Sequence, residues 1–323
     1  MAYLITGGTG YLGSYIVRDL LQASKKDIVC FQRSGITPLF NDIVGEDNAK
    51  NVKMVSGDVA QAVQLFNVIK ENNVSVVIHL GYLMPPTSEA QPGWAIQTNC
   101  GGMNNVLEAA RVFGLKRVIW SSSSKMFGRL GDLYDKPVGD DNAIFQPDSM
   151  YGACKVINEY MTKLYFQKWG VDAMGLRLAR SFGIGRARGG VAFFADFIKK
   201  AALDQQAVIG EGDIATGYMY VEDVSDLIVK LCDVPTTKTR MFNCIDGEYT
   251  HRQMGELIKK IYPKAKIQVN GGEGGPIFNG FKPPRVDTTG LRNELGWKPK
   301  YGIEAGLKKV MNYFRQQEGM PPI

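Results

Sequence analysis

Histidine and paired cysteine are scarce in this chain of 323 residues. It has only two histidines, His79 and His251, and its five cysteines are scattered and form no Cys-x-x-Cys pair. Two histidines are too few for a histidine-based metal site, so we expect no metal. An odd number of dispersed cysteines does not suit a disulfide framework, and we expect reduced thiols in a cytoplasmic protein.

Long apolar runs and basic runs are also missing. No stretch reaches the roughly 18 consecutive apolar residues that a membrane-spanning helix needs, and no signal peptide fits, because a strand follows Met1 directly. Lys and Arg exceed Asp and Glu by 38 to 32, for a net charge of +6. This charge permits an anionic cofactor or substrate, but without a basic cluster it does not argue for nucleic acid. We therefore expect small-molecule partners, and neither nucleic acid nor membrane.

Glycine is concentrated in a turn near the start of the chain. The apolar strand Tyr3–Ile5 runs into Thr6–Gly13, and a helix with one apolar face follows. This order predicts the first unit of a dinucleotide-binding fold. Gly7 permits the tight turn, Gly10 lets a pyrophosphate approach the backbone, and Gly13 lets the helix pack close to the sheet. The unpaired N–H groups at the helix start would bind the phosphates.

The end of the second strand bears on the choice of cofactor. Strand Ile28–Phe31 is followed by Gln32 and Arg33, where NAD-binding folds commonly place an acidic residue that binds the ribose 2′-hydroxyl. A guanidinium would instead attract a 2′-phosphate. The sequence favours NADP, and the alternative is a solvated surface arginine with NAD as cofactor. Residues 36–50 are predicted to form a polar loop.

Two further strands extend the predicted sheet. A third strand, Val52–Val55, precedes Gly57-Asp58-Val59, and a helix leads from there to Val74–Leu80. Strand Val74–Leu80 is a continuous apolar run, which is typical of a parallel strand buried on both faces.

A serine-rich strand end and a Tyr-x-x-x-Lys pair form the second informative group. Strand Arg117–Trp120 leads into Ser121–Gly128, and Tyr151 and Lys155 follow further along the chain. Residues four apart on a helix lie on the same face, one turn apart. The pair alone is a weak signal, but it becomes specific in combination with the serines and the glycine turn.

These motifs resemble those of the short-chain dehydrogenase/reductase superfamily, which shares the spacing Gly-x-x-Gly-x-x-Gly. Three later segments resemble its extended branch. Phe182–Arg186 is similar to Tyr-Gly-Pro-Gly, Gly217–Val224 to Asp-Tyr-Ile-His-Val-Asp-Asp-Val, and Leu295–Pro299 to Leu-Gly-Trp-x-Pro. Nearly the whole chain therefore resembles the NAD-dependent epimerase/dehydratase family of extended short-chain dehydrogenases.

The resemblance implies an α/β fold, a Rossmann-type doubly wound parallel sheet with a smaller C-terminal substrate lobe. The dinucleotide-binding domain would comprise residues 1–178, with 215–245 returning to it, and the substrate lobe would comprise 179–214 and 246–323. Family members often form homodimers through a four-helix bundle, built here from the helix after Asn99 and the helix that carries Tyr151.

The resemblance also implies roles for individual residues. Ser123 would hydrogen-bond the reacting oxygen, Tyr151 would move its proton, and Lys155 would favour the phenolate and hold the nicotinamide ribose. Asn99 would organise a proton route to Lys155, and the alternative is a buried polar residue satisfied by backbone. Asp58 would contact the adenine, and capping of the next helix is an equally good and compatible interpretation.

The implied cofactor contacts are Gly7, Gly10, Tyr11, Leu12, Gly13, Arg33, Asp58, Val59, Leu80, Gly81, Tyr151 and Lys155. The implied substrate contacts are Tyr82, Lys125, Met126 and Arg180.

Departures from the family pattern narrow the chemistry. Dehydratases place Asp-Glu directly after the catalytic Ser/Thr, where this chain has Ser124 and Lys125. Many sugar-nucleotide epimerases carry Asn at the position of Arg180 and a phosphate-binding Arg at that of Thr216. We therefore expect an oxidoreductase acting on a secondary alcohol or ketone.

Its substrate would be smaller than a nucleotide diphosphate sugar and would carry an anionic or polar group. The alternative for the pocket is that Lys125 and Arg180 pair with local acids such as Asp148 or Glu222, which would leave a mainly apolar pocket. The alternative function is a sugar-nucleotide epimerase with a transient keto intermediate. A third class, a redox-sensing or RNA-binding relative without catalysis, commonly loses the Tyr or Lys that this chain retains.

Overall fold

The computed structural model describes residues 1–141, 143–186, 191–272 and 282–323. Its strands are β1 (Ala2–Thr6), β2 (Ile28–Gln32), β3 (Lys53–Ser56), β4 (Val74–His79), β5 (Arg117–Ser123), β6 (Ala173–Leu178), β7 (Arg180–Phe182), β8 (Ala207–Ile209), β9 (Thr216–Tyr220), β10 (Met241–Cys244), β11 (Gly247–Tyr249) and β12 (Ile267–Val269).

The helices alternate with these strands over most of the chain. They are α1 (Tyr11–Gln22), α2 (Pro38–Val44), α3 (Glu46–Ala49), α4 (Ala62–Glu71), α5 (Thr87–Ala90), α6 (Pro92–Ala95), α7 (Gly102–Phe113), α8 (Leu130–Leu133), α9 (Met150–Trp169), α10 (Ala192–Ala202), α11 (Val221–Leu231), α12 (His251–Ile261), α13 (Thr289–Leu295) and α14 (Gly302–Gln317). A π-helix, Ile96–Gly101, runs directly into α7, and a 3-10 turn, Ser124–Phe127, follows β5.

The main sheet confirms the predicted doubly wound architecture. Seven strands lie in the order β3-β2-β1-β4-β5-β6-β10, and every neighbouring pair is parallel. The winding reverses between β1 and β4, where open α/β sheets of this kind bind their ligands at the carboxyl ends of the strands.

Both faces of the sheet are covered, which explains the continuous apolar strands. Apolar residues of α1, α2, α11 and α13 pack on one face, and residues of α4, α7 and α9 pack on the other. Ile5 faces the first layer and Leu4 the second, as expected for neighbours on a strand.

The expectation of a polar loop over residues 36–50 was wrong, because this segment contains α2 and α3. The Thr37 hydroxyl accepts a hydrogen bond from the Phe40 amide at 3.2 Å, and Pro38 occupies the first turn. Phe40 and Val44, four residues apart, are buried on one face of the helix. A cap and one apolar pair suffice here because α1 provides a surface for them.

The C-terminal part of the chain forms a second layer around its own core. β7, β9 and β11 form a three-stranded sheet, β8 pairs with β12, and α10, α12 and α14 pack around them. The Thr-x-x-Gln spacing of Thr250 and Gln253 predicts a capping box, and the structure confirms it: the two residues cap the start of α12 reciprocally. Residues 215–245 contribute β9 to the small sheet and β10 to the main sheet. The exact domain division stays a prediction.

Candidate active site

The glycine turn between β1 and α1 has the close backbone approaches that the sequence predicted. Gly7 has a φ of 71°, which favours glycine. A Cβ on Gly13 would lie 2.5 Å from the Gly7 oxygen, so α1 can pack there only through a glycine. Gly10 is the N-cap of α1 and provides no side-chain cap. The first-turn N–H groups therefore have no intrahelical acceptor and suit a phosphate.

The end of β2 is tied to this turn. The Gln32 Oε1 atom accepts hydrogen bonds from the Thr9 amide at 3.0 Å and the Thr9 hydroxyl at 2.8 Å. The exposed Arg33 has its guanidinium 4.9 Å from the centroid of the Trp94 ring, on α6. The Gln32 side chain thus bonds to the glycine turn itself. Arg33 is held by a cation–π contact at the edge of the site.

The end of β4 is fixed through Thr6. Its hydroxyl accepts hydrogen bonds from the amides of Leu80 and Gly81, both at 3.0 Å, and lies 2.8 Å from His79 Nδ1. Burial lowers the pKa of His79 to about 3, and the nearby charge of Lys155 acts in the same direction. His79 is therefore neutral and structural, and Leu80 and Gly81 are held beside the glycine turn.

Asp58 shapes the turn that precedes α4. Its Oδ1 atom accepts from the Ala60 amide at 2.9 Å, and its own amide donates to Gln64 Oε1 at 2.9 Å. The carbonyl oxygen of Val59 accepts from the Asn105 side chain at 2.9 Å. Asp58 thus closes the turn before α4 and does not cap that helix, whose N-cap is Gln61 without a side-chain cap. The adenine contact stays a prediction.

Ser123 and Tyr151 lie together at the carboxyl end of β5. The Ser123 hydroxyl accepts from the Lys125 amide at 3.2 Å and caps the 3-10 turn. Burial raises the pKa of Tyr151 to about 12, and hydrogen bonding with Ser123 and the charge of Arg186 act in the opposite direction. This end of the sheet therefore presents two adjacent hydroxyl groups.

Lys155 lies one turn beyond Tyr151 and is fully buried. Its Nζ atom donates to the Ser121 carbonyl oxygen at 2.5 Å and lies 5.2 Å from the centroid of the Tyr151 ring. It also lies 2.9 Å from the centroid of the Tyr82 ring. Burial lowers the pKa of Lys155 well below its usual value. The structure thus brings Lys155 and Tyr151 together, with an aromatic ring against the ammonium.

Tyr82, predicted as a substrate contact, packs against His79 and Met103. Its ring centroid lies 4.5 Å from that of His79, and its hydroxyl is 3.7 Å from the Met103 sulfur, on α7. The side chain is wedged between the end of the sheet and the π-helix layer, where it covers Lys155. Contact with substrate stays a prediction.

Asn99 lies in the π-helix, a type of irregularity that is frequent at functional sites. Its Oδ1 accepts from the Leu83 amide at 2.7 Å, and its Nδ2 donates to the Leu83 oxygen at 3.0 Å. Its own carbonyl oxygen accepts from the Asn158 side chain at 2.9 Å, one turn after Lys155 on α9. The backbone-satisfied alternative is thus what the side chain shows, and the proton route stays a prediction.

The cations expected near the substrate have distinct surroundings. Burial lowers the pKa of Lys125; the charge of Arg180 acts in the same direction and that of Asp148 opposes both. The Arg180 guanidinium lies 5.5 Å from the centroid of the Phe193 ring, and burial lowers its pKa also.

Of the two acids that could have neutralised these cations, one interacts with Lys125 and the other pairs elsewhere. Asp148 interacts with Lys125, as the apolar-pocket alternative supposed. Glu222 instead pairs with Arg18 at 3.0 Å and Lys309 at 2.7 Å. Met126 is fully buried in a small cluster with Phe127, Leu130 and Val138.

Two neighbours of the site were not singled out from the sequence. Trp94 lies on the short helix α6, and no pattern linked it to Arg33. Arg186 ends the Phe182–Arg186 turn, and its guanidinium lies 5.0 Å from the centroid of the Tyr11 ring. The family-like turn was the only signal that could have found it.

No helix in the described ranges combines the length and apolar character needed to cross a membrane. Within the same ranges, no group of three or more His, Cys, Asp or Glu side chains is arranged to hold a metal ion.

Known proteins match the chain over most of its length. The NAD dependent epimerase/dehydratase family matches residues 3–244. An uncharacterised protein of Methanocaldococcus jannaschii is 26% identical and covers 98% of this chain and 96% of its own length. An uncharacterised epimerase/dehydratase of Staphylococcus aureus is 26% identical, with coverages of 98% and 97%.

Solved structures share the fold at lower identity. A partial consensus L-threonine 3-dehydrogenase has a TM-score of 0.84 at 21% identity and covers 98% of this chain and 100% of its own. UDP-glucose 4-epimerase of Thermotoga maritima, solved with UDP-glucose, has a TM-score of 0.80 at 24% identity, with coverages of 98% and 100%. UDP-glucose 4-epimerase of Thermus thermophilus, solved with NAD, has a TM-score of 0.78 at 21% identity, with coverages of 98% and 99%. Together with the glycine turn and the sheet topology, the family match shows that the chain belongs to the NAD-dependent epimerase/dehydratase family of extended short-chain dehydrogenases, whose members are NAD-dependent enzymes.

Proposed function

We propose that the protein is an NAD(P)-dependent oxidoreductase that interconverts a secondary alcohol and a ketone at a Ser123–Tyr151–Lys155 site. The observation that carries the proposal is the position of the Tyr151 hydroxyl beside Ser123, with Lys155 one helical turn away, at the carboxyl edge of the sheet. The glycine turn opens at this same edge.

The chemistry follows from what each side chain can donate or accept. The bound dinucleotide supplies hydride donation or acceptance at carbon. Tyr151 would move the proton on the substrate oxygen, and Ser123 would hold that oxygen by a hydrogen bond. Lys155 would orient the site and, when charged, favour the phenolate form of Tyr151. Burial of all three groups excludes water and strengthens these interactions.

The glycine turn fits a dinucleotide, and residues around it would hold the cofactor. The first-turn amides of Tyr11, Leu12 and Gly13 would bind its phosphates, and Asp58 and Val59 would border its adenine. The segment Leu80–Gly81 would border the same groove.

We propose NADP as the preferred cofactor, with Arg33 binding the 2′-phosphate and Trp94 holding the guanidinium in place. No acidic side chain stands at the end of β2 to repel that phosphate. Arg33→Ala should weaken NADP binding by about tenfold or more and leave NAD binding nearly unchanged, since charge-assisted hydrogen bonds contribute about 1.5–3 kcal/mol. Calorimetric titration of both cofactors tests this, with Arg252→Ala, on α12, as control. Equal or tighter NAD binding by the unsubstituted protein would contradict the proposal.

The proposed substrate is a small hydroxy acid or polyol. Lys125 and Arg180 supply positive charge on the substrate side, and the family's Asn and Arg for a diphosphate are replaced by Arg180 and Thr216. Several structural neighbours are named L-threonine 3-dehydrogenases, and threonine is a small hydroxy amino acid. This supports a compact polar ligand.

The alternative is a sugar-nucleotide epimerase that uses the same three residues, as two of the structural neighbours are UDP-glucose 4-epimerases. Cofactor consumption separates the two functions, because only an oxidoreductase converts cofactor in proportion to product. Absorbance at the reduced-nicotinamide band should change with L-threonine, other small hydroxy acids or polyols. Conversion of UDP-glucose to UDP-galactose without net cofactor change would establish the epimerase and refute our proposal.

We also propose a homodimer in a reducing, cytoplasmic compartment. The five cysteines are buried free thiols, which suits such a compartment. The outer faces of α7 and α9 expose apolar side chains, which supports pairing with a second copy.

A further inference from the structure

The turn after β7 is held against the first helix of the fold. The Tyr15 hydroxyl donates to the Ile184 carbonyl oxygen at 3.0 Å. A Cβ on Gly183 would lie 2.3 Å from Val221 Cγ1 and 2.9 Å from the Tyr11 hydroxyl, so glycine suits this close approach. The Arg186 amide donates to the Gly183 oxygen at 3.4 Å. These contacts fix Arg186 beside the start of α1, directly after the glycine turn.

The charge of Arg186 lies near two tyrosines that are neutral at pH 7. Its guanidinium lies 5.0 Å from the centroid of the Tyr11 ring, and its charge lowers the pKa of Tyr11 and of Tyr151, although burial raises both pKa values further. Its Nε atom is buried, and no described residue offers that atom a hydrogen bond. Among the ion pairs of the described residues, none joins a carboxylate to this partly buried guanidinium.

We propose that Arg186 is a further cofactor-binding residue that contacts the diphosphate of the dinucleotide from the side opposite the glycine turn. A guanidinium can bind a phosphate through two parallel hydrogen bonds. The α1 N-terminus and Arg186 would then act on one anion from two directions, since both are positive and both adjoin Tyr11. The tyrosine ring between them keeps the guanidinium in place by a cation–π contact.

This arrangement would also couple cofactor binding to the reactive centre. The same guanidinium acts electrostatically on the Tyr151 hydroxyl, so its neutralisation by a phosphate changes the charge that Tyr151 experiences. The inference rests on the family's cofactor and on this chain's own geometry, and it does not depend on the substrate.

Equilibrium titration with ligands of graded composition tests the proposal without measuring activity. In Arg186→Gln, the dissociation constants of NAD and of ADP-ribose should both rise about tenfold or more, because each carries the diphosphate. The constant for adenosine, which has no phosphate, should change less than about twofold. Arg186→Lys, which keeps the charge but loses the paired hydrogen bonds, should fall between the unsubstituted protein and Arg186→Gln.

The matched control is Arg252→Gln, which removes an exposed arginine paired with Asp213 at 2.9 Å. It should bind all three ligands normally. The proposal is overturned if Arg186→Gln binds NAD and ADP-ribose as the unsubstituted protein does. It is also overturned if the affinity for adenosine falls equally, since that result indicates general damage to the site. An oxidoreductase screen that failed would leave this binding result intact.

Discussion

Burial acts against the charged forms of both Tyr151 and Lys155. It raises the pKa of the phenol to about 12 and lowers that of the ammonium well below its usual value. Burial within the protein therefore disfavours both the phenolate form of Tyr151 and the ammonium form of Lys155. Arg186 and Ser123, rather than Lys155, oppose the rise in the pKa of Tyr151.

The substitution Tyr151→Phe removes the proton-transfer group and little else. We expect turnover to fall by roughly a hundredfold or more, while cofactor affinity changes little because the ring and its packing remain. Turnover with the substrate found in the screen and calorimetric cofactor binding measure the two effects. Tyr160→Phe, on the exposed face of the same helix, is the control. Near-normal turnover by Tyr151→Phe would show that Tyr151 is not a catalytic residue.

His79 should make the fold sensitive to acid. Its pKa is about 3 in the folded protein, against an ordinary value of 6.5 that we take for the unfolded chain. Between these two pH values the unfolded chain binds a proton at this residue and the folded protein does not. The stability from this group is complete above about pH 6.5 and is lost as the pH falls towards about 3. Between about pH 6.5 and about pH 4.5 the loss is about 2–3 kcal/mol.

The test compares urea unfolding of the unsubstituted protein and His79→Asn at about pH 7 and about pH 4.5. The variant should be less stable at neutral pH and should lose less stability on acidification. The carboxylates titrate in the same way in both proteins. The difference between the two changes in unfolding free energy therefore reports on His79 alone. His251→Asn is the comparison, and it should show a similar effect over a narrower pH range, because the pKa of His251 is about 4 in the folded protein. Parallel pH profiles for His79→Asn and the unsubstituted protein would contradict this account.

A buried ion pair positions the element that carries Tyr151. Glu159 on α9 accepts two hydrogen bonds from Arg177 on β6, at 2.8 and 2.7 Å, and both side chains are almost completely buried. The Ser122 hydroxyl on β5 donates to the same carboxylate at 2.8 Å. This cluster ties α9 to the two strands beneath it, one turn beyond Lys155.

Glu159→Gln leaves the Arg177 guanidinium buried without its counter-charge. Breaking one side of a buried pair typically destabilises a protein by about 3–5 kcal/mol, and we expect a loss of this size in chemical unfolding. The double substitution Glu159→Leu, Arg177→Met should destabilise less than Glu159→Gln, since no charge is then stranded. Asp196→Asn, in the exposed Asp196–Lys200 pair, should have little effect. A loss below about 1 kcal/mol for Glu159→Gln would show that the cluster tolerates an unpaired arginine.

Local sequence patterns predicted those helices, strands and turns whose structure is determined by an apolar periodicity or by a single short motif. The glycine turn, the apolar strands and the capping box at Thr250 all depend on neighbours within a few residues. The helix α2 was missed because Phe40 and Val44 are too few to mark an apolar face without knowledge of α1. The π-helix at Asn99 was missed because its extra residue is stabilised by contacts with Leu83 and Asn158, which are distant in sequence.

At the scale of the whole molecule, the sequence predicted which residues come together at the candidate site, but not which side chains surround them. Ser123, Tyr151 and Lys155 follow from motif spacing, because the carboxyl ends of parallel strands meet at one edge of the sheet. The contact of Tyr82 with Lys155 depends on the backbone path after β4. The contact of Arg186 with Tyr11 depends on packing between residues that are far apart in the sequence. Such contacts have no local pattern.

The outer face of α9 is the feature that most directly concerns assembly. Ile157, Tyr160 and Leu164 lie at helical spacing and are exposed, and Tyr160 is 66% accessible. Val112 and Phe113, at the end of α7, are also exposed apolar residues, and α7 packs against α9. Exposed apolar side chains on two neighbouring helices whose other residues pack on the main sheet fit a second copy of the same pair.

Tyr160→Glu should therefore convert the proposed homodimer into a monomer. In a two-fold interface each substitution occurs twice, so a buried charge meets its own copy or apolar neighbours. We expect association to weaken by about 2 kcal/mol or more, or at least about thirtyfold in the dissociation constant. Sedimentation equilibrium measures this, and Val208→Glu, at an exposed position of β8 in the other lobe, should stay dimeric. If the unsubstituted protein sediments as a monomer at micromolar concentration, α7 and α9 do not form the interface. If both variants remain dimers, the copies meet through another surface.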